Sequence, residues 1–348
     1  MTISQKANDI RDLMRAAQEG DLELVRSRLD DGVSVNARYG SRNTALMFAA
    51  SRNHIEVAEL LIERGASVNA SNSGQCSALM WATTNEHHEM MTFLIERGAQ
   101  YNSADRDGRS ALTRAVAQDD PRGVHILLEA GADPNQAAKA DQSTPLGDAA
   151  RRGRTDIMNQ LLDHGASLEK GRPLEHALRM HQAEAATLLL DKGAAVDGMD
   201  PHSTPLLHIA EIGDPAMIKL LVDRGADVEA STHGGRTALF HAVHSDQTNA
   251  IAVLLDAHAQ VDAQDSEGNT ALHVAAKKGS AEHTQLLLDH GACPTLVNRR
   301  GDTPEETAQG ELRQVLRDAR VMYEQGLLRQ AAGLDANQDE PVQRSRKM

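Results

Sequence analysis

The chain has 348 residues, of which 25% are charged and only 2% aromatic, and its formal net charge is −14 with a pI near 5.6. That excess of carboxylates argues against a phosphate backbone or an anionic membrane surface as partner, since both need a concentrated basic face, and no run approaches 18 apolar residues, so no bilayer crossing is expected. A chain this poor in Phe, Tyr and Trp is expected to pack thin layers of small and medium side chains rather than one large core.

In chain order, residues 1–18 lack an apolar core followed by a small-residue cleavage site, so no leader is expected there. Residues 1–36 are predicted to form an N-terminal capping repeat, whose helix presents Leu13 as its first apolar landmark. The same landmark then returns at Leu46, Leu79, Leu112, Leu146, Leu174, Leu206, Leu239 and Leu272, at steps of 33, 33, 33, 34, 28, 32, 33 and 33 residues. A Gly-Ala pair keeps the same period at Gly65, Gly98, Gly131, Gly165, Gly193, Gly225 and Gly291, with Gly32 and His258 in the same slot. Two landmarks sharing one period define a repeat array over residues 37–298.

Each unit has a readable physical grammar. Thr44, Ser77, Ser110, Thr144, Thr204, Thr237, Thr270 and Thr303 stand where a helix starts, and their hydroxyls suit the orphan amides of the first turn. Pro145, Pro205 and Pro304 follow at the first helical position, where no N–H is needed. The first helix buries a Leu and two small residues, as in Leu46, Ala49 and Ala50, and ends at a glycine such as Gly20, Gly153, Gly213 or Gly279. A second helix carries apolar pairs at helical spacing, as in Val57, Leu61 and Ile62. Turn dipeptides such as Asp107-Gly108, Gly234-Gly235 and Glu267-Gly268 then predict a hairpin leading to the next unit.

At these residues the chain resembles the ankyrin-repeat family. The pattern T-P-L-H-x-A-A is nearly complete in Thr270-Ala271-Leu272-His273-Val274-Ala275-Ala276. The G-H-x-E element is matched by Asn53-His54-Ile55-Glu56, and G-A-D-x-N by Gly131-Ala132-Asp133-Pro134-Asn135. The resemblance implies an all-α solenoid: about nine stacked helix-turn-helix units joined by β-hairpin fingers, plus a C-terminal cap. It implies protein–protein recognition and nothing more specific.

Two departures carry expectations of their own. Around 166–176 the unit is shortened, with Glu169-Lys170-Gly171-Arg172-Pro173 in place of the hairpin; a missing finger should divide the stack there and leave a weak junction. In Thr303-Pro304-Glu305-Glu306 a Glu stands where Leu belongs, which marks 299–330 as a C-terminal capping repeat and helix with a polar outer face. Residues 331–348 are polar and expected to be disordered.

No phosphate-binding loop, nucleophile elbow, H-E-x-x-H or C-x-x-C occurs, so no catalytic residue and no cofactor are expected, and the chain is not read as an enzyme. His87-His88-Glu89 occupies the G-H-x-E slot and is expected to brace the second helix rather than bind metal. His208, His241 and His244 share a register and supply the competing reading, a metal-dependent enzyme, although no carboxylate or thiol completes the set. Asn69-Ala70-Ser71 reads as a hairpin turn rather than a glycosylation site. Cys76 and Cys293 lie six units apart, on the order of 50 Å at helix-packing distances, too far for a bridge. A reducing cytoplasm follows from that usage, and Arg outnumbering Lys 28 to 8 points to a bacterial source.

The resemblance places recognition on the concave face, made by the first helices and the fingers. The slot after T-P-L-H points into it and holds Phe48, Trp81, Arg114, His208 and His241, with Arg151, Arg152 and Arg179 at or after the A-A pair and Tyr39 on a neighbouring finger. Phe48 and the sole Trp, in adjacent units, are the expected anchor, with local packing of both rings as the alternative. The arginines form a cationic strip suited to acidic partner residues, or else a solvated helix face. The reading is a monomeric cytoplasmic adaptor or inhibitor that binds another protein, with a secreted bacterial effector acting on a host protein as the alternative.

Overall fold

In the computed structural model, residues 3–139, 142–198 and 200–331 are described. They fall into two compact units, residues 1–194 and 195–348. The first holds α1 (Ile3–Glu19), α2 (Leu22–Asp30), α3 (Ala45–Ala50), α4 (Ile55–Glu63), α5 (Ala78–Thr84), α6 (His88–Glu96), α7 (Ala111–Gln118), α8 (Pro121–Glu129), α9 (Pro145–Arg152), α10 (Thr155–Asp163), α11 (Pro173–Arg179) and α12 (Ala183–Asp191). The second holds α13 (Pro205–Ile212), α14 (Pro215–Asp223), α15 (Ala238–His244), α16 (Thr248–Asp256), α17 (Ala271–Lys278), α18 (Ala281–Asp289), α19 (Pro304–Thr307) and α20 (Leu312–Ala331). Within each unit an odd-numbered helix pairs with the next even one, and like helices of successive pairs pack side by side, as α3 does on α5 and α15 on α17.

The caps form for the reasons the sequence suggests. Thr44, Ser77, Ser110, Thr144, Thr204 and Thr270 each accept the amide three residues on, closing the first turn. The first helices then sink one face completely: Leu46, Ala49 and Ala50 are at most 2% exposed, and Leu272, Ala275 and Ala276 at most 1%. Ala at the contact lets neighbouring helices approach closely, which explains how so few aromatics suffice. The first element differs from expectation. α1 begins ten residues before Leu13, at Ile3, because no Thr-Pro start stands immediately upstream to end it.

At the end of the first helix every repeat needs one left-handed residue. Gly20, Gly153, Gly213 and Gly279 supply it at φ between 68° and 87°, but so do Asn53, Glu86, Asp119, His181 and Asp246, at φ 55–60°. The sequence signal was glycine; the structure shows that the slot, not the residue type, is constant.

Side chains stitch each repeat to the next. Asn36 Nδ2 donates to the Gly65 carbonyl (3.0 Å) while its Oδ1 accepts the Ser67 amide (2.8 Å). Asn69 makes the same two bonds to Gly98 and Gln100, and Asn135 to Gly165 and Ser167. In the second unit the slot holds Asp197, Glu229 and Asp262, and each accepts one amide, because a carboxylate has no hydrogen to donate. Fingers are tied by main-chain bonds, such as the Ser73 amide to the Ser41 carbonyl and the Arg299 amide to the Glu267 carbonyl. The fingers are not the two-stranded hairpins expected. Among the described residues only isolated antiparallel bridges occur, at Tyr39–Asn43, Ser71–Ser77 and Ser231–Thr237, because the tips turn too soon for a ladder.

The shortened unit corrects one expectation and the C-terminal cap another. Residues 166–176 lie inside the first compact unit, and the division falls later, after Ala194. Where the finger is missing, Gly171 (φ 70°) draws the chain onto α9, the Thr144 hydroxyl donates to the Lys170 carbonyl at 3.2 Å, and Pro173 and Leu174 are buried. At the other end Glu305 does not make a polar outer face. It is 5% exposed, and Arg317 Nε and Arg320 Nη1 of α20 stand 2.9 and 3.0 Å from its two oxygens. The residues 332–348 assigned to a tail lie outside the described residues.

Candidate functional site

The first helices and fingers carry every candidate side chain, and the structure sorts them. Tyr39, on a finger closed by two bonds to Asn43, is 40% exposed. Phe48 on α3 and Trp81 on α5 are both half-buried. The Trp81 indole N–H is buried with no acceptor among the described residues, so the ring's polar edge is sealed and what faces out is carbon. Neither ring is a core residue, and neither stands free.

Arg114 is drawn into the structure instead of out of it. Its guanidinium bonds to Asp105, reaches the Thr84 hydroxyl at 3.1 Å and lies 3.3 Å from the Cys76 sulfur, so it braces neighbouring repeats and leaves little charge for a partner. Asp105 is held in turn by the amides of Asp107 and Arg109. Burial pushes the Cys76 thiol up, against the pull of Arg114 downward, which keeps it protonated near neutrality. Arg151 pairs with Asp148 at 2.9 Å on its own helix, whereas Arg152 and Arg179 are exposed with no ion-pair partner among the described residues. Arg151 and Arg152 share a cleft of about 250 Å³ with Thr84, Arg109, Arg114 and Gln118.

In the second unit the histidines of the metal reading are held in different ways. His208 is exposed and its Nδ1 lies 3.1 Å from its own helix carbonyl, Thr204. The His241 Nε2 is buried without a partner, and burial pulls that imidazole below its usual range, with Arg236, His244 and His208 acting in the same direction and Glu211 against. Among the described residues no three His, Cys, Asp or Glu side chains converge on a point that could hold a metal ion. His87 and His88 brace the stack, His87 against the Ser51 carbonyl (3.1 Å) and His88 against both oxygens of Asp120 (2.8 and 2.9 Å).

Models of ankyrin repeats match residues 13–105, 76–138, 112–200 and 196–265, and a second ankyrin-repeat model matches 254–308. The chain belongs to the ankyrin-repeat family. No curated protein matches it significantly. Ankyrin repeats are in general protein–protein interaction modules, usually without catalysis of their own, and the geometry agrees: the inner side chains stand on short, cross-braced helices that hold them in fixed positions. No described helix is long and apolar enough to cross a membrane.

One group on the ankyrin stack went unread in the sequence. A larger cleft, about 890 Å³, lies in the second unit, lined by Arg236, Phe240, Lys277, Arg299 and Arg300 among others. The signal available was the dibasic pair Arg299-Arg300 at a fingertip one turn of the stack from Lys277-Lys278; slot counting along the first helices passes over fingertips.

Proposed function

We propose that this ankyrin-repeat protein is an adaptor or inhibitor that binds a partner protein through the face made by its first helices and fingers. The observation that carries the reading is the half-buried pair Phe48 and Trp81. Both rings are half covered, and Trp81 buries its N–H edge and presents carbon outward, which is how an interface anchor is pre-organised. Around it, Tyr39 offers a third aromatic, and Arg151, Arg152 and Arg179 offer charge to acidic partner residues; His208 and His241 belong to the corresponding slots of the second unit. The protein is a monomer of the bacterial cytoplasm, a placement supported by its two free thiols and its arginine-rich basic complement. Residues 1–36 and 299–330 cap the array of 37–298.

The test uses the full chain as bait beside Trp81→Ala. A partner held by the parent should be lost by the variant, with binding weaker by about 2 kcal/mol or more. Folding should suffer less than the roughly 3–5 kcal/mol of a fully buried aromatic, because the ring is only half covered. A partner retained equally by both proteins would overturn the assignment of the anchor. A collapse of the melting temperature in Trp81→Ala would make the ring a core residue instead.

A further inference from the structure

We infer that the cleft of the second unit binds an acidic, extended segment of a partner protein. The inference rests on the interaction-module reading and names the chemistry of one ligand. The cleft is about 890 Å³, inside the range of roughly 300–1,000 Å³ typical of ligand-holding clefts. Five cationic side chains line it, Arg236, Lys277, Lys278, Arg299 and Arg300, against three carboxylates, Asp265, Glu267 and Asp302, so its balance is positive on a chain whose net charge is −14.

The two signs are not equally available. Asp265 is 7% exposed and its Oδ1 accepts the amides of Glu267 and Asn269, each at 2.9 Å, so it is spent on shaping the finger. Glu267 accepts from the neutral Asn269 amide group at 3.4 Å, and Asp302 makes no side-chain hydrogen bond or ion pair among the described residues, so two carboxylates remain available. Among the cations Lys278 is committed to Asp246 and the His244 carbonyl. Lys277, Arg299 and Arg300 are exposed and make no side-chain hydrogen bond or ion pair among the described residues. Three unpaired cations, from the last turn of α17 and from the fingertip before α19, therefore line one cleft.

Its floor adds an apolar element. Phe240 is 5% exposed beneath the Arg236 guanidinium, 5.3 Å from the ring centroid, and Val274 is half-buried beside it. Guanidinium groups at such a place favour planar carboxylates, which they hold through two parallel bonds. A carboxylate-rich peptide with an apolar residue fits both features. A long polyanion such as nucleic acid does not, because beyond the cleft it meets the field of the acidic surface.

The test measures fluorescence anisotropy of a labelled Asp/Glu-rich peptide with one central Leu, titrated with the full chain at low and at physiological salt. Parallel arms use a Lys/Arg-rich peptide and a single-stranded oligonucleotide of matched length. The acidic peptide should bind, more weakly as salt rises, and the other two should not. Replacing Lys277, Arg299 and Arg300 together by Ala should weaken binding at least about tenfold without changing the melting curve, since these side chains are exposed and make no side-chain hydrogen bond or ion pair among the described residues. Replacing Lys6 and Arg11 by Ala, exposed cations of α1 that do not line the cleft, should leave it intact. No binding of the acidic peptide, equal binding by the triple variant, loss in the Lys6 and Arg11 variant, or equal binding of the oligonucleotide would each overturn the inference. None of these outcomes touches the anchor at Trp81, whose own capture experiment decides the broader reading.

Discussion

His273 shows how one buried side chain fixes a repeat boundary. The Thr270 amide donates to its Nδ1 (3.2 Å), which leaves Nε2 to carry the hydrogen and donate to the Asp302 carbonyl at 3.0 Å in the next repeat. Burial is the larger influence and pulls the imidazole below its usual 6.5, while the Asp302 carbonyl and the nearby carboxylates work against it. The unfolded chain therefore takes up a proton first. The stabilising effect of His273 is complete above about 6.5 and declines as pH falls from there toward the folded value. Melting temperature should drop between pH 7 and pH 5, and by less in His273→Gln; identical slopes in both proteins would refute the assignment. Glu86 gives a second residue-level prediction. It holds φ 56° where the other repeats use Gly, Asn, Asp or His, and its side chain is exposed. Glu86→Gly should stabilise the protein by about 0.5–1 kcal/mol in chemical denaturation, through relief of left-handed strain.

At the scale of elements, sequence and structure agree wherever a residue's role is local. N-capping hydroxyls, helix-ending glycines and the Leu-Ala-Ala layer are short-range physics, and they were readable as such. What escaped depends on long-range neighbours. Arg114 looked like a free cation because Asp105, nine residues before it, and Thr84, thirty before it, meet it only in the fold. Glu305 looked like a polar end because its partners Arg317 and Arg320 lie on a helix that the repeat pattern does not contain. The shortened repeat looked weak because the loss of a finger is visible in the sequence and the new contact at Thr144 is not. That contact is tight: a Cβ on Gly171 would sit 2.6 Å from the Thr144 hydroxyl oxygen and 3.0 Å from its backbone nitrogen, at φ 70°. Gly171→Ala should cost about 1–3 kcal/mol, from strain and displacement together. A melt within a few tenths of a kcal/mol of the parent would return this segment to the status of a loose linker.

For the molecule as a whole, stability is a sum over neighbours, since each described helix pair touches the pairs beside it and little else within its unit. The ends matter most in such an arrangement. α19 packs on α17, and α20 is held to α19 through the buried carboxylate of Glu305. Deleting residues 299–348 should uncover the apolar face of α17 and drive self-association, detectable by light scattering alongside a lowered melting temperature. A monomeric truncation with an unchanged melt would show that α19 and α20 protect nothing.

The Asn36, Asn69 and Asn135 bonds have a consequence for how such a gene can change length. Each amide reaches the Gly carbonyl 29 or 30 positions ahead and the amide nitrogen two residues further. An insertion or deletion inside the helices of that span would put the wrong atoms opposite each other, whereas the finger absorbs a single residue, as the 30-position reach of Asn135 shows, and a duplicated or excised whole unit would find every partner in place. The most shortened unit obeys the constraint: its missing residues fall after Ser167, beyond the last atom that Asn135 contacts, so both bonds survive. Tolerated variation in length should be quantised in whole units, with fractional changes confined to the stretch between that contact and the next helix.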